Sequence, residues 1–270
     1  MNPRINLIIG LPLVVALSGM ALLATVWTPY DPLRPGIRNR LKPPSSAHWL
    51  GTDEFGRDVL SRIMDGAEIS FKVALLTVIF AILAGTAIGV ITGFLRGWTD
   101  RLIMTFNDAL LAFPGILLAL AIMVVLGPGQ SSIILALGFA YTPSVVRIVR
   151  GQVLSLREKE YIEASRMIGN SDAYTMARHI LPNCVAPIAV LATSLFGWAV
   201  LSESALSFLG LGVPPPAPTW GNMLASGRTY MDTAVWLSLA PGICIALTLL
   251  GVNLLGDALR DLLDPRMASR

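Results

Sequence analysis

Six long apolar segments constrain this 270-residue chain more than any other feature. Each is nearly free of charge and about 20 residues long, which is the length that an α-helix needs to cross the roughly 30 Å hydrocarbon core of a bilayer. A water-soluble protein buries one or two such helices, not six. The sequence therefore predicts an all-α membrane protein with six transmembrane helices. The predicted spans are Leu7–Trp27, Phe71–Leu95, Leu102–Leu126, Ser131–Val149, Pro187–Phe208 and Ala234–Ala258.

The distribution of lysine and arginine predicts the orientation, because short cytoplasmic loops are enriched in these residues. One arrangement places twelve of them on one side, against Arg228 alone in the alternate loops 127–130 and 210–233. Both termini are then cytoplasmic, and the net charge of +3 reflects topology rather than binding of nucleic acid. The outside loop Thr28–Ser70 departs from the pattern, but it is long and its six basic residues are matched by six acidic ones. The twelve are Arg4, Arg96, Arg101, Arg147, Arg150, Arg157, Lys159, Arg166, Arg178, Arg260, Arg266 and Arg270.

The first span begins close to the N-terminus, as a secretory signal would. Its apolar run of about 21 residues exceeds the roughly 7–15 of a signal peptide, and no clear cleavage site follows. We therefore expect a retained helix. Within the outside loop, apolar residues recur at helical spacing from Asp58 to Ala67, which predicts an interfacial helix leading into the second span.

Small residues recur at every fourth position of the second span, at Ala81, Gly85, Gly89 and Gly93. Such a stripe lets another helix approach closely. It predicts a helix–helix seam, either in the core of a transporter or as ordinary packing inside the membrane. The membrane interface is predicted to hold three aromatic residues that follow the fifth span, Trp220, Tyr230 and Trp236.

The chain shows no catalytic signature of its own. None of its three lysines follows a glycine-rich phosphate-binding loop, and no serine lies in a nucleophile elbow. His48 and His179 lie on opposite sides of the membrane in the predicted topology, and no cluster has metal-ligand spacing. We therefore expect a protein that is not an enzyme and whose energy comes from a partner.

Ionisable residues inside the spans are candidates for a translocation path, because charges there are costly and usually functional. Glu203 lies in the outer half of the fifth span, where it either lines the path or caps a water-facing helix end. Asp108 lies about two turns into the third span. It either lines the path or is a structural partner of Arg101 or of a neighbouring helix. So few charges favour a proton-driven carrier only weakly.

The polar segment Arg147–Asn183 interrupts the apolar pattern. A first short helix is predicted over Tyr161–Ile168, ended by Gly169, which adopts left-handed cap geometry cheaply. Side chains that favour N-caps then start a second helix, Ala173–Ile180, which Pro182 is expected to stop. The result is a two-helix elbow on the cytoplasmic side, larger than the roughly 2–8 residues of an ordinary helix connection. This favours a docking element for a soluble partner.

Within that elbow, Glu163-Ala164-Ser165, Gly169 and His179-Ile180-Leu181-Pro182 resemble the EAA loop of ABC-importer permeases, the coupling helix that sits in a cleft of a separate ATPase subunit. Ser165 stands where that family has a second alanine; the change should be mild, because a small residue stays on the docking face. His179 stands at the usual isoleucine position, and this ending is similar to the peptide/nickel branch. The resemblance implies coupling roles for Glu163, Ala164, Ser165, Gly169, His179, Leu181 and Pro182.

Three further segments resemble the same branch, His48–Ser61, Ser204–Gly221 and Gly256–Pro265, so the resemblance covers nearly the whole chain. It implies the type I ABC importer permease fold and the C-type permease subunit of dipeptide or oligopeptide importers. Residues 1–70 would form an N-terminal segment with the first span and the outside loop. Residues 71–270 would form a five-helix permease core with the EAA-type loop at 147–183.

The resemblance also implies the partners and the setting. The chain would lie in the inner membrane of a bacterium or archaeon, with a homologous second permease, two ABC ATPase subunits and an extracytoplasmic solute-binding protein. ATP and magnesium would bind to the ATPase subunits, and the chain itself would hold no cofactor. Permeases for nickel, metal chelates or glutathione share the motifs and stay open as alternatives. From other classes, an ion-coupled carrier acting alone is the main alternative, with a membrane-embedded enzyme behind it.

Overall fold

The computed structural model describes residues 3–263, which are almost entirely helical and contain no β-strand. Arg266, Arg270 and the end of the Gly256–Pro265 motif lie outside these residues. A five-residue π-helical turn, Met176–Ile180, joins two of the helices. The α-helices are α1 (Pro3–Ala24), α2 (Val59–Leu95), α3 (Gly97–Leu111), α4 (Gly115–Leu126), α5 (Gln130–Arg157), α6 (Glu160–Met167), α7 (Asp172–Thr175), α8 (Leu181–Phe208), α9 (Trp220–Gly227) and α10 (Trp236–Leu263).

Five helical stretches in the described chain are long and apolar enough to cross a membrane unbroken. They are α1, α2, α5, α10 and the stretch from α7 through α8. The bent pair α3–α4 makes a sixth span if its two helices are counted as one broken span. The all-α fold predicted from the apolar segments is thus confirmed.

The third predicted span, Leu102–Leu126, is wrong as a single helix. It is broken between Leu111 and Gly115, where α3 and α4 meet at 93°. Pro114 explains the break, because proline has no N–H to donate and also disfavours helical geometry at the preceding residue, Phe113. Hydropathy alone does not report such a break.

The helix predicted to lead into the second span from Asp58 onwards is continuous with that span. These residues open α2, whose 37 residues run unbroken over about 55 Å. The Asp58 side chain caps the start by accepting a hydrogen bond from the Ser61 N–H at 2.8 Å. Since α2 runs through residue 70, the domain boundary proposed at 70/71 falls inside this helix.

The glycine stripe of α2 packs against a valine stripe of α5. A Cβ on Gly85 would lie 2.5 Å from the Val145 Cβ, and one on Gly89 would lie 2.9 Å from the Val149 Cβ. A Cβ on Gly93 would lie 2.8 Å from the Val153 Cβ. No side chain larger than hydrogen fits at these glycines without moving α5, so the two helices form a tight seam.

Trp220 does not lie at a membrane interface, because it is fully buried. Its indole N–H donates to the Ile63 carbonyl at 3.0 Å, and its ring packs edge-on against Phe71. Nearby, the Trp236 indole N–H donates to the Thr52 carbonyl at 3.2 Å. These two tryptophans fasten α9 and α10 to α2 and to the outside loop.

Candidate functional site

The elbow, defined here as residues 160–180, consists of α6, the turn at Gly169, α7 and the π-helical turn. Its helix α6 has two contrasting faces. Glu163 and Ala164 are exposed, and Met167 and the following Ile168 are 80% and 81% exposed. Ile162 is fully buried against the body of the protein. Glu160, one turn before Glu163, is exposed as well, so the outward face combines two carboxylates with an apolar tip, which suits contact with another protein.

Gly169 has φ +92°, the left-handed region that the sequence predicts for it. A Cβ at this position would meet no atom within 4 Å, so the requirement for glycine lies in the backbone and not in space. The N–H of Asn170 donates to the Ser165 carbonyl at 3.2 Å, which closes the end of α6. Ser171 then caps α7 by accepting from the Tyr174 N–H at 3.2 Å.

Ser165 does not lie on the docking face as expected, because it is buried between the two arms of the elbow. Its hydroxyl lies 3.2 Å from the Thr175 hydroxyl and accepts a hydrogen bond from the Asn170 side chain at 3.1 Å. A serine gives α6 and α7 a polar contact that an alanine would lack. The serine that stands in place of an alanine at this position therefore helps to hold the two arms of the elbow together.

Pro182 does not stop the second arm, since the helical path runs from Asp172 to Phe208. Pro182 lies in the first turn of α8, where a missing N–H is tolerated, and the π-helical turn absorbs the change in register. Leu181 and Pro182 are exposed. His179 is half-buried between the rings of Tyr161 and Tyr174, at centroid distances of 6.3 and 5.9 Å. The elbow is thus continuous with a membrane span.

Phe94, at the cytoplasmic end of α2 in the predicted topology, attaches the elbow to the body of the protein. The Arg166 guanidinium stacks over the buried Phe94 ring at 4.5 Å, and Arg157 donates a hydrogen bond to the Phe94 carbonyl. The two cations also oppose the negative end of the α2 dipole. The local sequence pattern around these two arginines carries no sign of this contact.

Glu203 is fully buried, so it does not cap a water-facing helix end, and its carboxyl reaches no surface of the described structure. It belongs to the Glu203 cluster, which joins α2, α8 and the start of α9. The Ser207 hydroxyl donates to the carboxyl at 2.7 Å, Ser70 at 3.3 Å and Ser204 at 3.5 Å. The cluster comprises Glu203, Ser70, Ser204, Ser207 and Thr219.

Thr219 connects this cluster to α9. Its hydroxyl donates to Ser207 at 3.4 Å and also accepts from the Asn222 N–H, as the N-cap of the helix. The backbone N–H of Trp220 donates to the Ser70 hydroxyl at 3.4 Å. The carboxyl therefore fixes where α9 begins.

Asp108 pairs with Arg147 of α5 at 2.6 Å and not with Arg101. Both side chains are more than half exposed (56% and 59%). One turn towards the elbow, Arg150 forms a bidentate pair with Asp100, at 2.7 and 2.8 Å. The prediction of a partner on a neighbouring helix is thus confirmed, and the prediction of Arg101 is wrong.

Comparison with known proteins places these features in a family. Residues 85–269 match the family described as binding-protein-dependent transport system inner membrane component. A Brucella suis protein with the provisional name of peptide transport system permease is 46% identical over 259 residues, covering 96% of this chain and 87% of the relative. The dipeptide transport system permease protein DppC of Alkalihalophilus pseudofirmus is 44% identical, covering 97% of this chain and 86% of the relative.

The same comparison finds a relative named for another solute. The glutathione transport system permease protein GsiD of Pectobacterium atrosepticum is 42% identical, covering 95% of this chain and 85% of the relative. A solved structure of the MetNI methionine ABC transporter in inward-facing conformations matches with a TM-score of 0.59 at 17% identity, over 75% of this chain and 96% of that chain. This last likeness concerns the fold alone.

Proposed function

Because the chain belongs to the family of binding-protein-dependent transport system inner membrane components, we propose that it is the C-type permease subunit of an ATP-driven importer of short peptides. Relatives similar over nearly the whole chain are named for dipeptide and glutathione transport. Glutathione is itself a tripeptide, so both names point to one chemical class. In this proposal a second, homologous permease completes the translocation pathway and a binding protein outside delivers the peptide.

The observation that carries the proposal is the elbow. Glu163 and the apolar tip at Met167 and Ile168 face outward, while Ile162 and Arg166 hold the opposite face to the body. A surface of this kind suits a cleft in a soluble partner, and the residues resemble the coupling loop of ABC importers. We assign that partner as an ABC ATPase subunit, which would bind ATP and magnesium. Glu163 would pair with a basic group in its cleft.

Closure of two ATPase subunits on ATP would pull the elbows of the two permeases together. Three connections would carry this movement into the membrane. The elbow follows α5 after a short turn at Glu158 and Lys159, continues into α8 through the π-helical turn, and touches α2 through Phe94. The glycine–valine seam makes α2 and α5 move as one body. The pathway would then switch between its inward-facing and outward-facing forms.

The proposal assigns the elbow and both termini to the cytoplasmic side, in a bacterial or archaeal inner membrane. Basic residues flank the ends of α2, α3 and α5 on the elbow side, as the positive-inside rule requires. The outside loop would then face the binding protein.

Reconstitution tests this function. The chain is placed in liposomes with its partner permease, the ATPase subunits and the binding protein, and uptake of a labelled dipeptide is measured. ATP-dependent uptake that requires every component is the expected result. Uptake by this chain alone under an ion gradient would instead establish an ion-coupled carrier. A complex that moves nickel or a metal chelate and no peptide would overturn the assigned substrate.

A further inference from the structure

The bent pair α3–α4 is attached to the rest of the protein in an unusual way. Of the 15 residues of α3, Asn107 is the only buried one in the described structure. Lipid covers apolar surface as well as protein does, so the few buried residues of α3 show only that little side-chain packing fixes its position against the rest of the chain. Other contacts must therefore hold it in place.

The helix α3 connects directly to α2, and the side-chain hydrogen bonds and ion pairs that join it to other helices of the described chain all reach α5. Asp100 forms the bidentate pair with Arg150, Asp108 pairs with Arg147, and the Asn107 side chain donates to the Pro143 carbonyl at 3.2 Å. The helix α5 leads directly to the elbow. The position of α3 therefore depends on the position of α5.

The break between α3 and α4 lies level with the middle of α5. Asn107 contacts Pro143, and a Cβ on Gly115 would lie 4.0 Å from the Tyr141 ring. Tyr141 and Pro143 are central in the 28 residues of α5, which span about 42 Å. If α5 crosses the bilayer, as its length and composition indicate, the break lies near the bilayer centre.

Two observations indicate that this region does not face lipid. Residues 112–114 are exposed, with Phe113 at 62%. Irregular backbone at membrane depth is tolerated only where protein or a water-filled cavity covers it. The Arg147–Asp108 pair is exposed only one turn away on both helices, and ionised groups in contact with hydrocarbon are costly. Water satisfies both requirements.

We propose that the α3–α4 break lines the translocation path, that Phe113 contacts the passing solute, and that the Asp100–Arg150 pair carries the movement of α5 to it. This proposal rests on the importer function proposed above. Phe113 acts on the solute as an apolar aromatic surface, suited to peptide side chains. Asp100 and Arg150 are positioning residues and do not contact the solute.

Thiol accessibility tests the location of Phe113. The Phe113→Cys variant of the complete transporter is treated in membrane vesicles with a charged, membrane-impermeant maleimide, with and without ATP and vanadate. Val15→Cys is the matched control, since Val15 is 60% exposed at the middle of the peripheral helix α1. The parent chain corrects for Cys184 and Cys244. We expect the thiol of the Phe113→Cys variant to react at least tenfold faster than that of the Val15→Cys control, at a rate that changes with nucleotide.

Equal, slow labelling at both positions in both nucleotide states would overturn the proposal, because lipid or the second permease would then cover the break. Peptide uptake by the same vesicles separates this failure from that of the proposed function. If uptake is present and the Phe113→Cys variant stays unlabelled, only the path assignment fails. If ATP-dependent uptake is absent from the unmodified transporter, the importer function fails.

Charge reversal tests the positioning pair in the Phe113→Cys background. Asp100→Arg and Arg150→Asp are each expected to abolish the nucleotide-dependent change in labelling, and the double variant should restore it. A purely structural role would instead lower the amount of assembled transporter without changing the nucleotide response of the molecules that remain. Single variants with an unaltered response would contradict the role of the pair.

Discussion

The elbow and the Glu203 cluster are two polar regions of an apolar chain, and they are built in opposite ways. In the elbow, the Glu163 carboxylate faces outward while Ile162 is buried. In the cluster, the Glu203 carboxyl is buried and meets hydroxyl groups of the same chain. The first region leaves its carboxylate exposed, where we propose that a partner binds, and the second satisfies its carboxyl internally.

The difference follows from solvation. A buried carboxyl loses several kcal/mol of hydration, of the order of the cost of an unpaired polar group, and must regain it from nearby donors. Ser70, Ser204 and Ser207 are those donors, and they come from two helices. An exposed carboxylate such as Glu163 has no such requirement, so it remains available to a basic group on another protein.

Replacing either glutamate by lysine tests this contrast most directly, and the larger effect is expected at Glu203. Glu203→Lys places an ammonium group among hydroxyls in a buried site with no acidic partner, which we expect to cost about 3–5 kcal/mol, the range for an uncompensated buried charge. The expected result is loss of most monodisperse protein on size-exclusion chromatography in detergent. Glu203→Gln, which keeps an acceptor, should recover much of it. A Glu203→Lys protein as stable as the wild type would contradict the structural role of the cluster.

In the elbow, Glu163→Lys should leave folding nearly unchanged, within about 0.5 kcal/mol, since it alters an exposed residue. Its effect should appear in coupling, because the charge meant for the ATPase cleft is reversed. We expect peptide-stimulated ATP hydrolysis by the assembled transporter to fall at least tenfold. Retention of stimulation would show that Glu163 makes no contact important for coupling.

A smaller effect is expected from Gly169→Val, which acts on the elbow angle. At φ +92° a β-branched residue is strained by about 1–2 kcal/mol, although its side chain meets no neighbour. Stimulated ATPase activity should fall while membrane insertion persists. Gly151→Val is the matched control, because Gly151 lies within α5 with equally open space around it and no positive φ. Equal activities of the two variants would exclude a role for the turn geometry.

The smallest effect should come from Ser165→Ala. Removing the hydroxyl breaks its contacts with Thr175 and Asn170 inside the elbow, at about 1 kcal/mol. We expect a lower melting temperature of the isolated permease and a modest loss of ATPase stimulation. If Ser165 lay on the docking surface, the melting temperature would not change and only affinity for the ATPase would. Thermal unfolding of the permease alone separates the two outcomes.

Features that depend on local sequence could be predicted, and features that depend on distant contacts could not. The spans follow from hydrophobic length, and the Gly169 turn follows from backbone preference. The inward orientation of Ser165 depends on how α6 packs on α7, and the burial of Glu203 depends on Ser70, 133 positions away. The prediction that Leu102–Leu126 forms a single helix was wrong for another reason. Its average hydropathy concealed the local effect of Pro114.

Site-specific photo-crosslinking in the assembled transporter tests most directly whether the elbow docks an ATPase subunit. Met167, 80% exposed at the elbow tip, is replaced by a photo-crosslinking phenylalanine analogue, and Trp49, 72% exposed in the outside loop, serves as the control position. We predict an adduct with the ATPase subunit from position 167 and none from position 49. The absence of that adduct from position 167 in a complex that still couples ATP hydrolysis to peptide uptake would contradict the account.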